Sequence, residues 1–276
     1  MNGLALDRIL RQALIEDIGH GDITSEAIFA PDHQSAGWLI AKQDVVLAGR
    51  EVFARVFSLL DGNVAVTFAN ADGDRIGAGQ KFARLQGPTR PLLTGERVAL
   101  NFLQRLTGIA TETARCVAAC GHRPVVIVDT RKTTPGLRML EKYAVTVGGG
   151  KNHRLGLDSM ALIKDNHIKA AGGIAAAVGK VRAAVSPFVK IEVEVEELAQ
   201  LHEALAAGVD VIMLDNMPPA KIEEAVRIID RRALVEVSGN ITLEKIVALA
   251  AGGVDIISSG ALTHSVKAAD ISMRLE

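Results

Sequence analysis

Charged and hydrogen-bonding residues recur in the second half of the sequence, each group directly after a short run of β-branched residues. The groups are Asp129-Thr130-Arg131-Lys132, Lys164-Asp165-Asn166-His167, Glu192-Val193-Glu194, Asp215-Asn216, Ser238-Gly239-Asn240 and Ser258-Ser259-Gly260. Arginine and lysine bind carboxylates and phosphates, and carboxylates bind hard divalent cations. If the fold brings these groups together, they predict one site for anionic molecules and a metal.

The charges in this half are segregated along the chain. Residues 131–169 carry eight Lys/Arg and three Asp/Glu, together with His153 and His167. Residues 190–236 carry eleven Asp/Glu and five Lys/Arg. Some of these charges belong to solvated helix faces, but a basic region opposite an acidic one suits an enzyme that binds anions directly and through a cation.

The segment Ile191–Val195 alternates strictly between apolar residues and glutamates. In a strand, Glu192 and Glu194 then share one face, which points into a barrel if the apolar face packs on helices. A buried, unpaired carboxylate is costly, so a metal, a lysine or a substrate hydroxyl should hold at least one glutamate. The alternatives are an edge strand with one wet face, and a site shared with Asp215.

Two small turns follow the last two predicted strands. They are Ser238-Gly239-Asn240 and Ser259-Gly260-Ala261, and helical segments come after both. Turns of this kind let backbone N–H groups approach a phosphate, and barrel enzymes often bind phosphate at the last two strand ends. The pair therefore predicts phosphate binding, although either glycine alone is compatible with an ordinary turn.

A regular alternation of strands and helices positions these residues. Strands are predicted at 125–129, 161–164, 190–195, 211–214, 234–237 and 254–257, with amphipathic helices between the later ones. The last strand starts are about 21 residues apart, the length of one strand–loop–helix–loop unit. Six units predict a closed or nearly closed parallel barrel. A doubly wound open sheet is the main alternative, although no GxGxxG motif follows any strand.

The first 110 residues have a more mixed pattern. Helices are predicted around 4–16, 50–60 and 94–114, strands at 36–48 and 64–69, and a turn-rich segment at 72–79. The net charge of −1 and an aromatic content of 3% argue against a nucleic-acid partner. No apolar run long enough for a membrane span and no signal peptide is found, and two cysteines, Cys116 and Cys120, suit a reducing cytoplasm.

Ordered motifs through nearly the whole chain resemble the quinolinate phosphoribosyltransferase family, also called carboxylating nicotinate-nucleotide pyrophosphorylase. After Glu16-Asp17-Ile18-Gly19 and Gly21-Asp22 they read LTGERVALNFLQRLTGIAT at 93–111, DTRKTTPGLR at 129–138, EKYAV at 141–145, GGGKNHRLGL at 148–157, LIKDNHI at 162–168, EVEV at 192–195, IMLDNM at 212–217 and GALTHSVKAADISM at 260–273. Asn240 stands where many members of the family carry glycine.

The resemblance implies a fold of two domains. An N-terminal open α/β sandwich is expected over residues 1–110, joined by the C-terminal tail 266–276. An incomplete parallel α/β barrel of about six strands, similar to a TIM barrel, is expected over residues 111–265. It also implies a homodimer or an assembly of dimers, in which the partner's N-terminal domain covers each site.

The resemblance also implies roles for individual residues. Quinolinate is expected to contact Arg131, His153, Arg154 and Lys164, together with Arg97 from the neighbouring subunit. Phosphoribosyl pyrophosphate is expected to contact Lys132, Glu194, Asp215, Ser238, Gly239, Asn240, Ser259, Gly260, Ala261 and His264. Glu194 and Asp215 are expected to hold Mg²⁺, with the share of Glu192 left open. Lys132, Lys164, Glu194 and Asp215 are the expected catalytic residues.

The implied reaction transfers phosphoribosyl from phosphoribosyl pyrophosphate to quinolinate with decarboxylation, in NAD biosynthesis. It yields nicotinate mononucleotide, pyrophosphate and CO₂. One alternative is a sibling transferase that uses another aromatic acid, and another is a non-catalytic family member that binds or helps transport a small molecule. A third is a Schiff-base aldolase-like barrel with Lys164 as the nucleophile.

Overall fold

The computed structural model describes all 276 residues and divides them into two compact units. The first unit comprises Met1–Ala114, Thr134–Gly149 and Ser265–Glu276, and the second comprises Arg115–Thr133 and Gly150–His264. The sequence placed residues 134–149 in the barrel domain, whereas the structure groups them with the first unit. Within that unit, the fully buried Glu141 carboxylate accepts hydrogen bonds from the Arg105 side chain, which fixes the segment there.

The chain forms twelve strands and eleven helices. The strands are β1 Gln34–Ala41, β2 Val45–Val46, β3 Ala65–Phe68, β4 Arg75–Ile76, β5 Lys81–Pro88, β6 Val126–Val128, β7 Ala161–Ile163, β8 Ile191–Val195, β9 Val211–Asp215, β10 Leu234–Ser238, β11 Ile256–Ser258 and β12 Ile271–Leu275. The helices are α1 Gly3–Ile18, α2 Ile23–Ile28, α3 Arg50–Leu60, α4 Thr89–Ala119, α5 Arg138–Val147, α6 Asp165–Ala171, α7 Ile174–Ala184, α8 Leu198–Ala206, α9 Pro219–Ile229, α10 Leu243–Ala251 and α11 Ala261–His264.

The first unit contains an antiparallel sheet in the order β12-β1-β5-β3 and a small sheet of β2 and β4. Strand β12 comes from the C-terminal tail and pairs with β1, so the two ends of the chain share this sheet. The apolar side of α3 supplies Phe53 and Phe57, which are fully buried. The predicted turn-rich segment at 72–79 also contains the short strand β4, because it pairs with β2.

The second unit contains a six-stranded parallel sheet in the order β6-β11-β10-β9-β8-β7. Strands β7 to β11 lie side by side in the order in which they occur in the chain, and β6 pairs with the other edge of β11. A doubly wound sheet reverses its direction of growth part-way, so this order excludes that alternative. Because β6 and β7 are not paired with each other, the barrel is incomplete, as the sequence predicted.

The strands of the barrel begin and end within two residues of their predicted bounds. The prediction for β8 is confirmed in detail: Ile191, Val193 and Val195 are buried on its apolar face. Helix α4 is longer than the predicted 94–114, since it already begins at Thr89. Pro91 lies in its first turn, where a missing N–H costs no hydrogen bond. None of the helices combines the length and apolar character that a membrane span requires.

Candidate active site

A cavity of about 460 Å³ lies at the carboxyl ends of the barrel strands, and residues of the second unit alone line it. Ten predicted site residues belong to its lining: Arg131, Lys132, His153, Arg154, Lys164, Glu194, Asp215, Ser238, Gly239 and Asn240. Parallel strands bring residues from distant parts of the sequence to one edge in this way. The cavity therefore combines the basic, acidic and small-turn residues that the sequence singled out.

Arg131, Arg154 and Lys164 form a cationic wall between this cavity and a second, more apolar one of about 690 Å³. Arg154 donates from Nη1 to the carbonyl oxygen of Met160 at 3.2 Å, which orients its guanidinium. Burial and the nearby Arg131 charge lower the pKa of Arg154, while Glu192 opposes the shift. Cations held this close together favour an anionic ligand, which relieves their mutual repulsion.

Two carboxylates lie at the ends of neighbouring strands. Glu194 of β8 accepts a hydrogen bond from Lys164 Nζ at 2.7 Å, and its side chain is 13% exposed. The expectation that a lysine, a metal or a substrate hydroxyl holds one glutamate of this strand is confirmed for Glu194. Asp215 of β9 accepts from Asn216 Nδ2 at 2.8 Å. Both carboxylates line the cavity and are positioned to bind a cation or a hydroxyl group.

A second ionic cluster lies beneath the first and consists of His153, Glu192 and Glu236. His153 Nε2 lies 3.1 Å from Glu192 Oε2 and 3.5 Å from Glu236 Oε2. Burial alone would lower the pKa of His153, but hydrogen bonding to the two glutamates and their charges raise it to about 9. Burial raises the pKa of Glu192, and the Glu236 charge adds to this effect.

The chain delivers His153 to this position beside the free edge of β6. Lys151 forms an isolated parallel bridge with Val128, so the segment before His153 runs along that strand. The backbone N–H of His153 then donates to Asp129 Oδ1 at 3.0 Å. Asp129 itself is fully buried at the end of β6. These contacts explain why GGGKNHR, which forms no regular strand or helix, still places a side chain accurately.

The turn after β10 has the backbone geometry that small residues favour. Gly239 has φ +102°, and a Cβ atom there would overlap the Asn216 side chain. Asn240 has φ +44°, a left-handed conformation that asparagine adopts more readily than most residues. Asparagine in place of the usual glycine is thus compatible with the turn. Helix α10 begins only at Leu243, so a ligand at this strand end would meet the turn before the helix.

The turn after β11 lies against Lys132. A Cβ atom on Gly260 would come within 2.9 Å of Lys132 Cδ and 3.0 Å of His264 Cδ2. Thr263 Oγ1 also donates to the Lys132 carbonyl oxygen at 2.7 Å. Ser258 lines the cavity, but four predicted residues of this turn and its helix do not: Ser259, Gly260, Ala261 and His264. Ser259 is 7% exposed, and Ala261 begins the single-turn helix α11.

Arg97 belongs to the first unit, where it is exposed on α4. It does not line the cavity of the second unit. This placement agrees with a role that depends on another subunit, but that role stays a prediction.

Sequence reasoning missed Glu236 as a site residue, and it named Asn216 only within a strand-end group, without a role of its own. Glu236 occupies the segment Val235-Glu236-Val237, which shows the same apolar–acidic alternation as β8 and could have been found by it. Asn216 was visible only as the neighbour of Asp215, and its contact with Gly239 depends on the pairing of β9 with β10. Thr130 and Ser258 also line the cavity.

The one group of three potential metal ligands is His153, Glu192 and Glu236, whose ligand atoms lie within 4.8 Å of one another. The predicted magnesium ligands, Glu194 and Asp215, are not part of it. They nevertheless offer carboxylate oxygens beside an open cavity, and Mg²⁺ needs only one or two carboxylates because it retains water. The chemistry of these two side chains therefore fits Mg²⁺.

Comparisons with known proteins agree with this architecture. Residues 22–107 match the N-terminal domain model of quinolinate phosphoribosyl transferase, and residues 109–274 match its C-terminal domain model. A probable carboxylating nicotinate-nucleotide pyrophosphorylase of Bacillus subtilis (strain 168) is 50% identical over 273 residues, which cover 99% of this chain and 94% of that protein. Quinolinate phosphoribosyltransferase [decarboxylating] 1b of Nicotiana tabacum is 41% identical over 290 residues, with 98% of this chain and 82% of the relative covered.

Solved structures also resemble this chain over its full length. NadC from Streptococcus pyogenes superimposes with a TM-score of 0.96 at 46% identity, covering 100% of this chain and 98% of the other. The nicotinate-nucleotide pyrophosphorylase of Francisella tularensis gives 0.96 at 41% identity with the same coverage. Since both domain models match and the similarity extends over the full chain, this chain belongs to the quinolinate phosphoribosyltransferase family.

Proposed function

We propose that this chain is a quinolinate phosphoribosyltransferase, which makes nicotinate mononucleotide, pyrophosphate and CO₂ from quinolinate and phosphoribosyl pyrophosphate. The observation that carries the proposal is the cavity at the strand ends. It joins a cationic wall to two carboxylates and a small glycine-containing turn. One substrate with adjacent carboxylates and another with a pyrophosphate group require this combination.

The cationic wall suits quinolinate. Arg131 and Arg154 present planar guanidinium groups, which bind carboxylates in a bidentate manner. Lys164 adds a third positive charge at the boundary of the two cavities. The more apolar cavity beside the wall, lined by Leu157 and Met160, offers a surface on which an aromatic ring can pack.

The opposite side of the cavity suits phosphoribosyl pyrophosphate. Lys132 and the backbone of Ser238-Gly239 supply positive charge and N–H donors for phosphate oxygens. Glu194 and Asp215 would hold Mg²⁺ or the ribose hydroxyls. The ion, when bound, neutralises charge on the pyrophosphate leaving group.

The reaction requires no covalent bond to the protein. As the bond from ribose C1 to pyrophosphate breaks, C1 gains oxocarbenium character, and the pyridine nitrogen of quinolinate attacks it. Lys132 stabilises the departing oxygens electrostatically. The ring nitrogen is then cationic, so the 2-carboxylate can leave as CO₂, and the carbanion that remains at C2 takes a proton from solvent.

The structure gives less support to a Schiff-base aldolase. Lys164 Nζ donates to Glu194 Oε2 at 2.7 Å, so the amine that would attack a carbonyl is engaged in an ion pair. A lysine that attacks a carbonyl must be unprotonated. The aldolase chemistry would also leave Arg131 and Arg154 without a ligand to bind.

The deciding experiment incubates the purified protein with Mg²⁺, phosphoribosyl pyrophosphate and quinolinate labelled with ¹³C in its 2-carboxylate. Mass spectrometry should detect unlabelled nicotinate mononucleotide, pyrophosphate and labelled CO₂. A parallel reaction with nicotinate tests the sibling-transferase alternative. Product from nicotinate but not from quinolinate would overturn the proposed substrate, and product from neither would overturn the activity.

We also propose that the enzyme is a homodimer with shared sites, to which Arg97 contributes from the neighbouring subunit. The support is that Arg97 is exposed in the first unit, whereas an oxocarbenium-like centre needs to be shielded from water. Mixing inactive Arg97→Ala and Lys164→Ala chains should restore activity toward half the wild-type level per mixed dimer, because one of its two sites is intact. If mass spectrometry confirms exchange and no activity returns, Arg97 does not act across subunits.

A further inference from the structure

Two glutamates in the barrel interior have no role in the proposed reaction. Glu192 of β8 is 0% exposed and Glu236 of β10 is 1% exposed, and β9 lies between their strands. Burying two carboxylates away from water costs free energy unless a cation or a proton neutralises their charge. Both reach the same atom, His153 Nε2, at 3.1 and 3.5 Å. We call these three side chains the interior cluster.

Protein groups lie beside both ring nitrogens of His153, although Nε2 makes no aligned hydrogen bond. Nδ1 lies 2.8 Å from the backbone N–H of Arg154, and Nε2 lies between the two glutamates. The backbone N–H of His153 is also engaged, by the buried carboxylate of Asp129. His153 also lines the cavity, so its expected contact with quinolinate stays a prediction.

The interior cluster continues into the cationic wall. Arg154 follows His153 in the chain, and its charge is attracted by Glu192 and repelled by Arg131. The Glu192 oxygens and Glu236 Oε1 make no aligned hydrogen bond to a protein donor. Their stabilisation therefore comes from nearby positive charge. Before substrate binds, these carboxylates offset the repulsion between the closely spaced cations above them.

We propose that Glu192 and Glu236 are positioning residues, which hold the His153 ring from below and thereby fix Arg154 and the cationic wall for the substrate's carboxylates. The inference rests on the proposed function, because it assigns the cationic wall to quinolinate.

A metal ion bound by the same three side chains is the main competing interpretation. A histidine that binds a metal through Nε2 normally donates its Nδ1–H to an acceptor. Here the atom facing Nδ1 is the N–H of Arg154, which is a donor. The same contact also opposes a proton on Nδ1, so metal analysis is what distinguishes an ion cluster from a metal centre.

The kinetic test uses Glu192→Gln and Glu236→Gln, which keep the shape of the side chain and remove its charge. Glu192→Gln should raise the KM for quinolinate about 10-fold, and Glu236→Gln about 3-fold, since Glu236 is farther from the ring. The KM for phosphoribosyl pyrophosphate should stay within 2-fold, and kcat should fall less than the quinolinate KM rises. Glu203→Gln on the exposed side of α8 is the matched control and should behave like wild type. An unchanged quinolinate KM in both interior variants would overturn the proposal.

A spectroscopic test needs no activity. In protein with ¹⁵N-labelled histidine, the His153 ring signals are identified by their absence from a His153→Gln variant. Their protonation pattern should change in Glu192→Gln and remain the same in the Glu203→Gln control. If Glu192→Gln leaves the pattern unchanged, the proposal is wrong.

Metal analysis completes the test. One bound transition-metal ion per wild-type chain, lost in Glu192→Gln, would replace our interpretation with a metal centre. If wild type neither binds nor converts quinolinate, the proposed function fails, whereas the ring signals still report whether the glutamates hold His153.

Discussion

Glu192 and Glu194 lie two residues apart on the same face of β8, yet their surroundings differ. Glu194 is 13% exposed, lines the cavity and pairs with a lysine that is 45% exposed. Glu192 is completely buried and meets a histidine and a second glutamate. Two residues of a strand span roughly 7 Å, enough to separate a side chain that can reach a ligand from one that reaches only protein. The depth of a carboxylate in the barrel thus decides whether it serves binding or positioning.

Solvent and ligands affect the two levels of the barrel differently. The upper level is the Lys164–Glu194 pair, and the lower level is the interior cluster of His153, Glu192 and Glu236. The Lys164–Glu194 pair borders an open cavity, where water screens the attraction and a substrate can replace either partner. The interior cluster is almost fully buried, so each member depends mainly on the other two for its charge balance. We therefore expect substitutions at the upper level to alter catalysis and the binding of phosphoribosyl pyrophosphate and Mg²⁺. Substitutions at the lower level should alter quinolinate affinity and stability.

The largest effect should follow Lys164→Ala, which removes the cation at the upper level. We expect kcat/KM for quinolinate to fall about 10³-fold, or about 4 kcal/mol, because Glu194 loses its partner and the substrate loses a positive charge. Steady-state kinetics measures this directly. Lys169→Ala, a change of the same type at an exposed position of α6, should have little effect. A loss below 10-fold in Lys164→Ala would contradict the assignment of Lys164 to the site.

A smaller effect should follow Glu194→Gln. It should change the use of phosphoribosyl pyrophosphate about 30-fold rather than the use of quinolinate. The KM for phosphoribosyl pyrophosphate and the Mg²⁺ concentration for half-maximal rate should both rise, because a carboxylate that holds the ion or the ribose is lost. The quinolinate KM should change little. Glu192→Gln on the same strand should show the opposite selectivity. If both variants altered the KM values of the two substrates equally, the distinction between the two levels would be wrong.

The smallest effect concerns stability and pH. The raised pKa of His153, about 9, lies above the usual value of about 6.5, so the folded state binds this proton more tightly than the unfolded state. The resulting stabilisation is complete below pH 6.5 and is lost as the pH rises through 9. Urea unfolding between pH 6 and 9.5 should show this decline in wild type and a flatter profile in Glu236→Gln. Equal slopes in the two proteins would show that Glu236 does not hold the proton on His153.

Much of the fold was accessible from the sequence because its signals are local. The alternation of Ile191–Val195 predicted the two faces of β8, and the spacing of strands and helices predicted parallel pairing. The incomplete barrel and the family were confirmed by the strand order and by the matched domain models. The sequence did not predict that residues 134–149 group with the first unit. That grouping depends on the contact of Glu141 with Arg105, which lies 36 positions earlier in the chain.

The site was predictable to a smaller extent. The strand-end rule identified eight of the ten predicted residues that line the cavity, whereas His153 and Arg154 came from the family resemblance. The rule could not rank the depth of these residues. It treated Glu192 and Glu194 alike and did not single out Glu236, although the same alternation was present in β10. The magnesium ion, the dimer and the cytoplasmic location stay predictions.

The sequence by itself determined which residue types follow each strand, which face each side chain takes, and therefore that cations, carboxylates and glycine turns would meet at one edge. Periodicity fixes these properties, and periodicity is written in neighbouring residues. Only the tertiary structure decided which of two glutamates on one face is buried and which pairs with Lys164. It also showed that Glu192 and Glu236 converge on His153. Those pairings join residues from different strands, and their distances depend on how the barrel closes around them.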